Sequence, residues 1–75
     1  MSAWVRFINK TKYEAIYLRL NEYQNPVMLI KNCASEYVFS NSGSISAEIN
    51  DAHGHFLKSV QLSVIPAKKQ TIVIK

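Results

Sequence analysis

Turn-forming residues interrupt this sequence about every ten positions, and apolar and polar residues alternate between the interruptions. Alternation with a period of two is typical of a strand with one buried face, whereas a helix repeats every 3.6 residues. The clearest case is residues 44–50, where Ile45, Ala47 and Ile49 alternate with polar residues. A chain of 75 residues that is broken this often is predicted to form several short strands joined by tight turns.

The alternation predicts seven strands. Their predicted bounds are 3–9, 13–22, 27–31, 37–40, 44–50, 55–65 and 71–75. Within residues 55–65, Val60 and Leu62 follow the alternation. Before Lys58, however, Phe56 and Leu57 are consecutive apolar residues, and they interrupt the alternation. We therefore expect a β-bulge or a short break in the strand at this point.

Residues 13–22 fit two templates. Their apolar side chains recur at the i, i+3, i+4 and i+7 positions of a helix, yet Ile16, Leu18 and Leu20 also alternate as in a strand. We favour the strand because Leu18 would lie on the wrong side of the helix and because tyrosine and isoleucine suit a pleated surface. A helix over residues 12–23 is the alternative, and it would give an α+β fold.

The chain, residues 1–75, is predicted to be a single domain, since its length supports only one small core. Seven short strands with hairpin-length connections predict an all-β fold, either a small antiparallel β-sandwich or a partly open barrel. Residues 47–54 (Ala-Glu-Ile-Asn-Asp-Ala-His-Gly) and 60–64 (Val-Gln-Leu-Ser-Val) are similar to the late strands of bacterial immunoglobulin-like domains. The resemblance implies an immunoglobulin-like sandwich.

Residues that would support catalysis, a metal or a cofactor are sparse. Cys33 is the sole cysteine, so no intrachain disulfide can form. His53 and His55 lie in a turn near Asp51, but no third ligand has the spacing that a zinc site needs. With only two glycines, the chain has no glycine-rich phosphate loop. We therefore expect a non-enzymatic protein with neither a metal nor a cofactor.

The first two predicted strands carry the candidate site. A hairpin turn between Ile8 and Tyr13 would place Trp4 opposite Tyr17, with two separate faces. The aliphatic face is expected to be buried, and it consists of Val5, Phe7, Ile16, Leu18 and Leu20. The other face is predicted to bind a partner through Trp4, Arg6, Tyr13, Tyr17 and Arg19. Tryptophan, tyrosine and arginine are the residues enriched at interface hot spots.

These features predict a small binding module that acts as an inhibitor, adaptor or subunit through this face or through a free strand edge. The net charge of +4 permits an acidic partner, and the arginines of the face predict a protein partner with an acidic or mixed surface. A free strand edge makes a homodimer an expectation. The alternative is a small β-barrel that binds single-stranded nucleic acid through the same rings and cations. Binding to a membrane surface is a third possibility, although no membrane span is expected. Because the N-terminus lacks the pattern of a signal peptide, we expect a cytoplasmic location.

Overall fold

The computed structural model of the protein describes residues 3–21, 23–40, 43–65 and 67–75. These residues form seven strands and no helix. The strands are β1 (Ala3–Asn9), β2 (Ala15–Leu20), β3 (Val27–Ile30), β4 (Val38–Ser40), β5 (Ser44–Asp51), β6 (Phe56–Ser63) and β7 (Lys69–Ile74). The all-β prediction is confirmed, and the predicted end of the second strand at Glu22 lies outside the described residues. The alternative helix over 12–23 is wrong because β2 is extended and buries alternate residues.

The strands form two sheets. Sheet I has the order β4-β1-β7, and sheet II has the order β3-β2-β5-β6. Every pairing in sheet II is antiparallel, and so is the pairing of β1 with β4. In contrast, β1 and β7 run parallel, with Trp4 opposite Lys69 and Asn9 opposite Ile74. The expectation of an entirely antiparallel fold is therefore wrong at this one pairing.

The predicted hairpin between β1 and β2 is also wrong, because the two strands belong to different sheets. Both edges of β1 are occupied by β4 and β7, and both edges of β2 are occupied by β3 and β5. The two strands carry similar aliphatic faces. When they lie in separate sheets, these faces contribute to one core, whereas in one sheet they would need another layer to cover them.

One hydrophobic cluster joins the two sheets. Sheet I contributes Val5, Phe7 and Ile74, and the contribution of sheet II includes Ile45 and Ile49. The predicted burial of the aliphatic residues is confirmed, although they lie on strands of different sheets: Val5, Phe7, Ile16, Leu18 and Leu20 are all buried. Burial of these side chains supplies the main stabilisation of a chain this small.

The expected irregularity in the sixth strand is a β-bulge. Ile49 lies opposite Lys58 and Asn50 lies opposite Phe56, so Leu57 is an additional residue in β6. The bulge restores the alternation of the strand beyond it. As a consequence, Lys58 occupies the same register face as Val60, which packs against the core.

Asn9 is fully buried where β1 ends, and its side chain organises the following loop, residues 10–14. Its Nδ2 donates to the carbonyl oxygens of Tyr13, at 3.2 Å, and Leu29, at 3.1 Å. Its Oδ1 accepts from the backbone N–H of Thr11, at 2.9 Å, and from the Thr11 hydroxyl, at 2.6 Å. A buried amide with all of these bonds formed fixes the direction in which the chain leaves sheet I for sheet II.

Candidate functional site

The predicted binding residues do not form one surface. Trp4 and Arg6 lie on the outward face of sheet I, whereas Tyr17 and Arg19 lie on β2 in sheet II. Tyr17 lies opposite Met28 and Asn50, so it is not a neighbour of Trp4. Tyr13 lies in the loop between β1 and β2 and packs partly against the core.

The structure brings Trp4 next to Phe39 instead. The two residues are register partners on β1 and β4, their ring centroids are 5.1 Å apart, and their planes meet at 64°. This edge-to-face arrangement contributes about 0.5–1.5 kcal/mol beyond the area that the rings bury. Trp4 is 43% exposed and Phe39 is 39% exposed, so a large apolar surface still faces solvent.

Two cations lie against the ring of Tyr37, beside this pair. The guanidinium carbon of Arg6 is 5.3 Å from the ring centroid, and the ammonium nitrogen of Lys69 is 5.2 Å from it. Arg6 is held further by a hydrogen bond of 2.9 Å from its Nε to the hydroxyl oxygen of Thr71 on β7. Both distances lie within the range of cation–π attraction, which stabilises the positions of the two charges.

The backbone of Phe39 is fixed by a tyrosine from the other sheet's connecting loop. The Tyr23 hydroxyl accepts a hydrogen bond from the Phe39 N–H and donates one to the Phe39 carbonyl oxygen, each at 2.8 Å. A backbone held in this way loses little further conformational freedom when a partner binds.

We name this surface the aromatic–basic face, and it consists of Trp4, Arg6, Tyr37, Phe39 and Lys69. No acidic residue occupies an outward register position on the described part of sheet I. On sheet II, by contrast, Arg19 lies opposite Glu48. The outward side of sheet I is therefore the more positive of the two described faces.

The sequence predicts Trp4 and Arg6 as members of this surface, but it does not assign Tyr37, Phe39 or Lys69 to it. The alternation of Tyr37 and Phe39 about Val38 was the available signal, since it puts both rings on one side of a strand. Nothing local indicated that this strand pairs with β1, or that Lys69 would lie opposite Trp4.

The histidine pair belongs to the turn between β5 and β6, and Asp51 organises that turn. One carboxylate oxygen of Asp51 accepts from the backbone N–H groups of His53 and His55, each at 2.9 Å. The other oxygen lies 3.2 Å from Nδ1 of His55, and Gly54 supplies the positive φ of 86° that the turn requires. Within the described ranges, no three histidine, cysteine or acidic side chains are grouped to hold a metal.

These bonds give a pH prediction. The backbone N–H of His55, followed by that of His53, holds the pKa of Asp51 below its ordinary value of 3.8. A carboxyl group whose pKa is lowered in the folded state stabilises the fold at pH values above its ordinary pKa. That contribution is lost as the pH falls through the lowered pKa. We expect Asp51→Asn to melt below wild type at neutral pH, and the difference to narrow in scans from about pH 6 to about pH 2.

The matched control for Asp51→Asn is Glu36→Gln, which removes an exposed carboxylate at a position that does not belong to a turn. Its melting temperature should stay close to that of wild type throughout the series. A difference between Asp51→Asn and wild type that stays constant down to the lowest pH would contradict the proposed role of the Asp51 charge.

Comparison of this chain with protein-family models, with curated proteins and with solved structures gives no match. None of these comparisons supports the immunoglobulin-like resemblance of residues 47–54 and 60–64. Among the residues described, no helix has the length and apolar character of a membrane span. A function for the chain therefore rests on the chemistry of its surface.

Proposed function

We propose that this protein is a small non-enzymatic protein-binding module whose binding surface is the aromatic–basic face. The partner is a protein that presents carboxylates around an apolar patch. The observation that carries the proposal is the exposed Trp4–Phe39 pair beside two cations, with no acidic residue at the outward positions of the described sheet.

The two kinds of residue would have different roles. Burying the exposed parts of Trp4 and Phe39 would supply most of the affinity, because tryptophan and other large rings dominate interface energetics. Arg6 and Lys69 would set the orientation of an acidic partner and speed its approach, and both effects weaken with added salt. Since these groups are already held by Tyr37, Thr71 and Tyr23, little ordering is needed on binding.

Single-stranded nucleic acid is the less favoured partner. Such chains are bound by successive open ring faces along a row of cations that follows the phosphates. Here Trp4 and Phe39 pack edge to face on each other, and the ring of Tyr37 is already in contact with Arg6 and Lys69. These contacts favour an apolar protein patch over a stack of bases.

The proposal includes the arrangement of the two sheets. We propose a small β-sandwich, as in immunoglobulin-like domains, that is partly joined along one side. The shared core supports the sandwich, and the joined side is supported by isolated bridges from Ile8 to Ala34 and from Asn9 to Lys31. The opposite side has the two longest edge strands, β6 and β7, each paired on one side only. A second copy of the chain or a partner strand would add there.

A cytoplasmic location is part of the same proposal. Cys33 is a free and exposed thiol, and a domain of this size in an oxidising compartment usually depends on disulfides. An exposed free thiol is better tolerated where cellular reductants keep it reduced.

The test is a pulldown from native lysate with the wild-type protein and four matched variants, with and without nuclease. We expect Trp4→Ala and Arg6→Gln to reduce capture of a protein partner by about tenfold or more, since each removes a central contact. Phe56→Ala removes a ring that is 60% exposed in sheet II, and Arg19→Gln removes an exposed arginine there. Both controls should retain wild-type capture.

Three outcomes would overturn the proposal. In the first, all four variants reduce capture of the partner equally. In the second, the wild-type protein captures no more partner than Trp4→Ala does. The third is capture that nuclease abolishes, which would establish the nucleic-acid alternative. Circular dichroism of each variant shows whether a loss of capture reflects lost contact or lost folding.

A further inference from the structure

A cleft of about 420 Å³ lies between the loop after β1, the bulge of β6 and the end of β7, away from the aromatic–basic face. Four lysines line it: Lys10, Lys12, Lys58 and Lys75. Its apolar lining includes the partly buried Tyr13 and Leu57. The volume is in the range of small-molecule sites, and an apolar wall with a few convergent charges is their usual composition.

No acidic side chain neutralises the positive charge in this cleft. Within residues 3–21, 23–40, 43–65 and 67–75, no aspartate or glutamate carboxylate lies within ion-pair distance of any of the four ammonium groups. Lys10 donates to Oδ1 of Asn32 at 3.3 Å, and Lys58 donates to a backbone oxygen of Lys75. Lys12 lies 5.5 Å from the centroid of the Tyr13 ring. Like charges gathered in one cleft repel each other, so an anion bound among them would relieve that repulsion.

Lys58 reaches the cleft because of the bulge. Leu57 is the additional residue, and it shifts Lys58 to the core-side register position opposite Ile49, which is fully buried. The next residues on that side of β6 are the partly buried Val60 and Leu62. The pattern on this side of β6 predicts an aliphatic residue at position 58, so the presence of a lysine there requires an explanation. One reason is that an inward charge discourages pairing at an edge strand, and another is a ligand.

The opposite wall of the cleft is rigid. Lys10 and Lys12 lie in the loop that the buried side chain of Asn9 fixes through Thr11 and Tyr13. The hydroxyl of Thr11 also accepts from the backbone N–H of Tyr13 at 3.1 Å, which tightens the same turn. Cations on a loop that is already ordered bind an anion with little further loss of entropy.

We propose that this cleft binds a small organic phosphate, namely a phosphate monoester with a compact apolar group. The doubly charged phosphate would lie among the ammonium groups, and the apolar group would lie against Tyr13 and Leu57. Lysine binds phosphate as a point charge, so the site requires no bidentate geometry. The proposal is independent of the protein-binding function, since the cleft contains no residue of the aromatic–basic face.

The test is a titration of isotope-labelled protein followed by amide NMR shifts, with phenyl phosphate as the probe. We expect saturable shifts confined to residues 10–13, 57–58 and 74–75, with a dissociation constant in the millimolar range or tighter. Inorganic phosphate should bind more weakly because it lacks the apolar group, and benzyl alcohol should give no saturable shift. Benzoate that binds as tightly as phenyl phosphate would overturn the preference for phosphate.

Two variants and a matched control locate the site. Lys12→Gln and Lys58→Gln should each weaken phenyl phosphate binding by about fivefold, which corresponds to one exposed charge pair. Lys68→Gln removes the same charge at the other end of β7, where its carbonyl bonds the N–H of Trp4, and should leave binding unchanged. Equal weakening by all three variants would show a general charge effect and overturn the proposal.

The same set of variants distinguishes a role of Lys58 in protecting the strand edge from a role in binding phosphate. The Lys58→Gln protein could self-associate and still bind phenyl phosphate as tightly as the wild type does. This result would show that the inward charge only protects the strand edge, and it would overturn the proposed phosphate site. Lys12→Gln changes an exposed loop residue, so it keeps the test valid if Lys58→Gln does not fold.

Discussion

Replacing Asn9 with leucine is expected to lower the free energy of unfolding by about 2–5 kcal/mol, which is a large fraction of the stability of a domain this small. Leucine has a similar size but no polar atoms. It would leave the carbonyl oxygens of Tyr13 and Leu29 and the N–H of Thr11 without the partners they have now. Chemical denaturation followed by circular dichroism measures the change.

Two further variants make this expectation specific. Asn9→Asp keeps one oxygen as the acceptor for Thr11 but turns its other carboxylate oxygen toward two carbonyl groups, so it should be destabilising at neutral pH and less so in acid. Asn25→Leu changes an exposed asparagine and should lie within about 0.5 kcal/mol of wild type. An Asn9→Leu protein as stable as the Asn25 control would contradict the role assigned to the buried amide.

The second large effect is expected in the shared core. Ile16→Ala and Leu18→Ala should each cost about 2–5 kcal/mol, because each removes several buried carbon atoms and leaves a cavity. Small domains have a total stability of about 5–15 kcal/mol, so either change uses much of it. Both side chains are fully buried on β2, and both belong to the hydrophobic cluster to which the two sheets contribute. Thermal and chemical denaturation of the purified variants measures the loss.

Met28→Ala is the matched control, since Met28 is register partner to Tyr17 on the outer face of sheet II and is 53% exposed. Its truncation should cost less than about 1 kcal/mol. Trp4→Ala, which also loses the edge-to-face contact with Phe39, should cost more than Met28→Ala but less than Ile16→Ala. If these surface variants unfold as readily as Ile16→Ala, the assignment of inner and outer faces is wrong.

The strands and their buried faces were predictable because the signal for each is local. The alternation around Ile45 and Ile49 defines both the strand and its inner face, and the break at Leu57 marks the bulge. Even the ambiguous segment containing Leu18 was decided by which side chains could share a face. Hydrophobic patterning therefore accounts for the elements and most of the core.

Strand pairing was not predictable, and the candidate site depended on it. The local pattern of β1 suits a hairpin with β2 as well as it suits a position between β4 and β7. Two features favour the observed arrangement over the hairpin: the aliphatic faces of β1 and β2 are both buried in one core, and the side chain of Asn9 forms its hydrogen bonds. Both features involve residues that are distant in sequence. The partners of Trp4 therefore had to come from the structure.

The pairing of β1 with β7 also sets an order of events when the chain folds. Arg6 and Thr71 are neighbours across this pair although they are 65 positions apart, so forming it closes a loop of nearly the whole domain. Sheet II connects strands that are closer in sequence, and we expect it to form first, as the nucleus. Until β7 emerges from the ribosome, one side of β1 has no native neighbour, so a stalled nascent chain would expose that strand to chaperones.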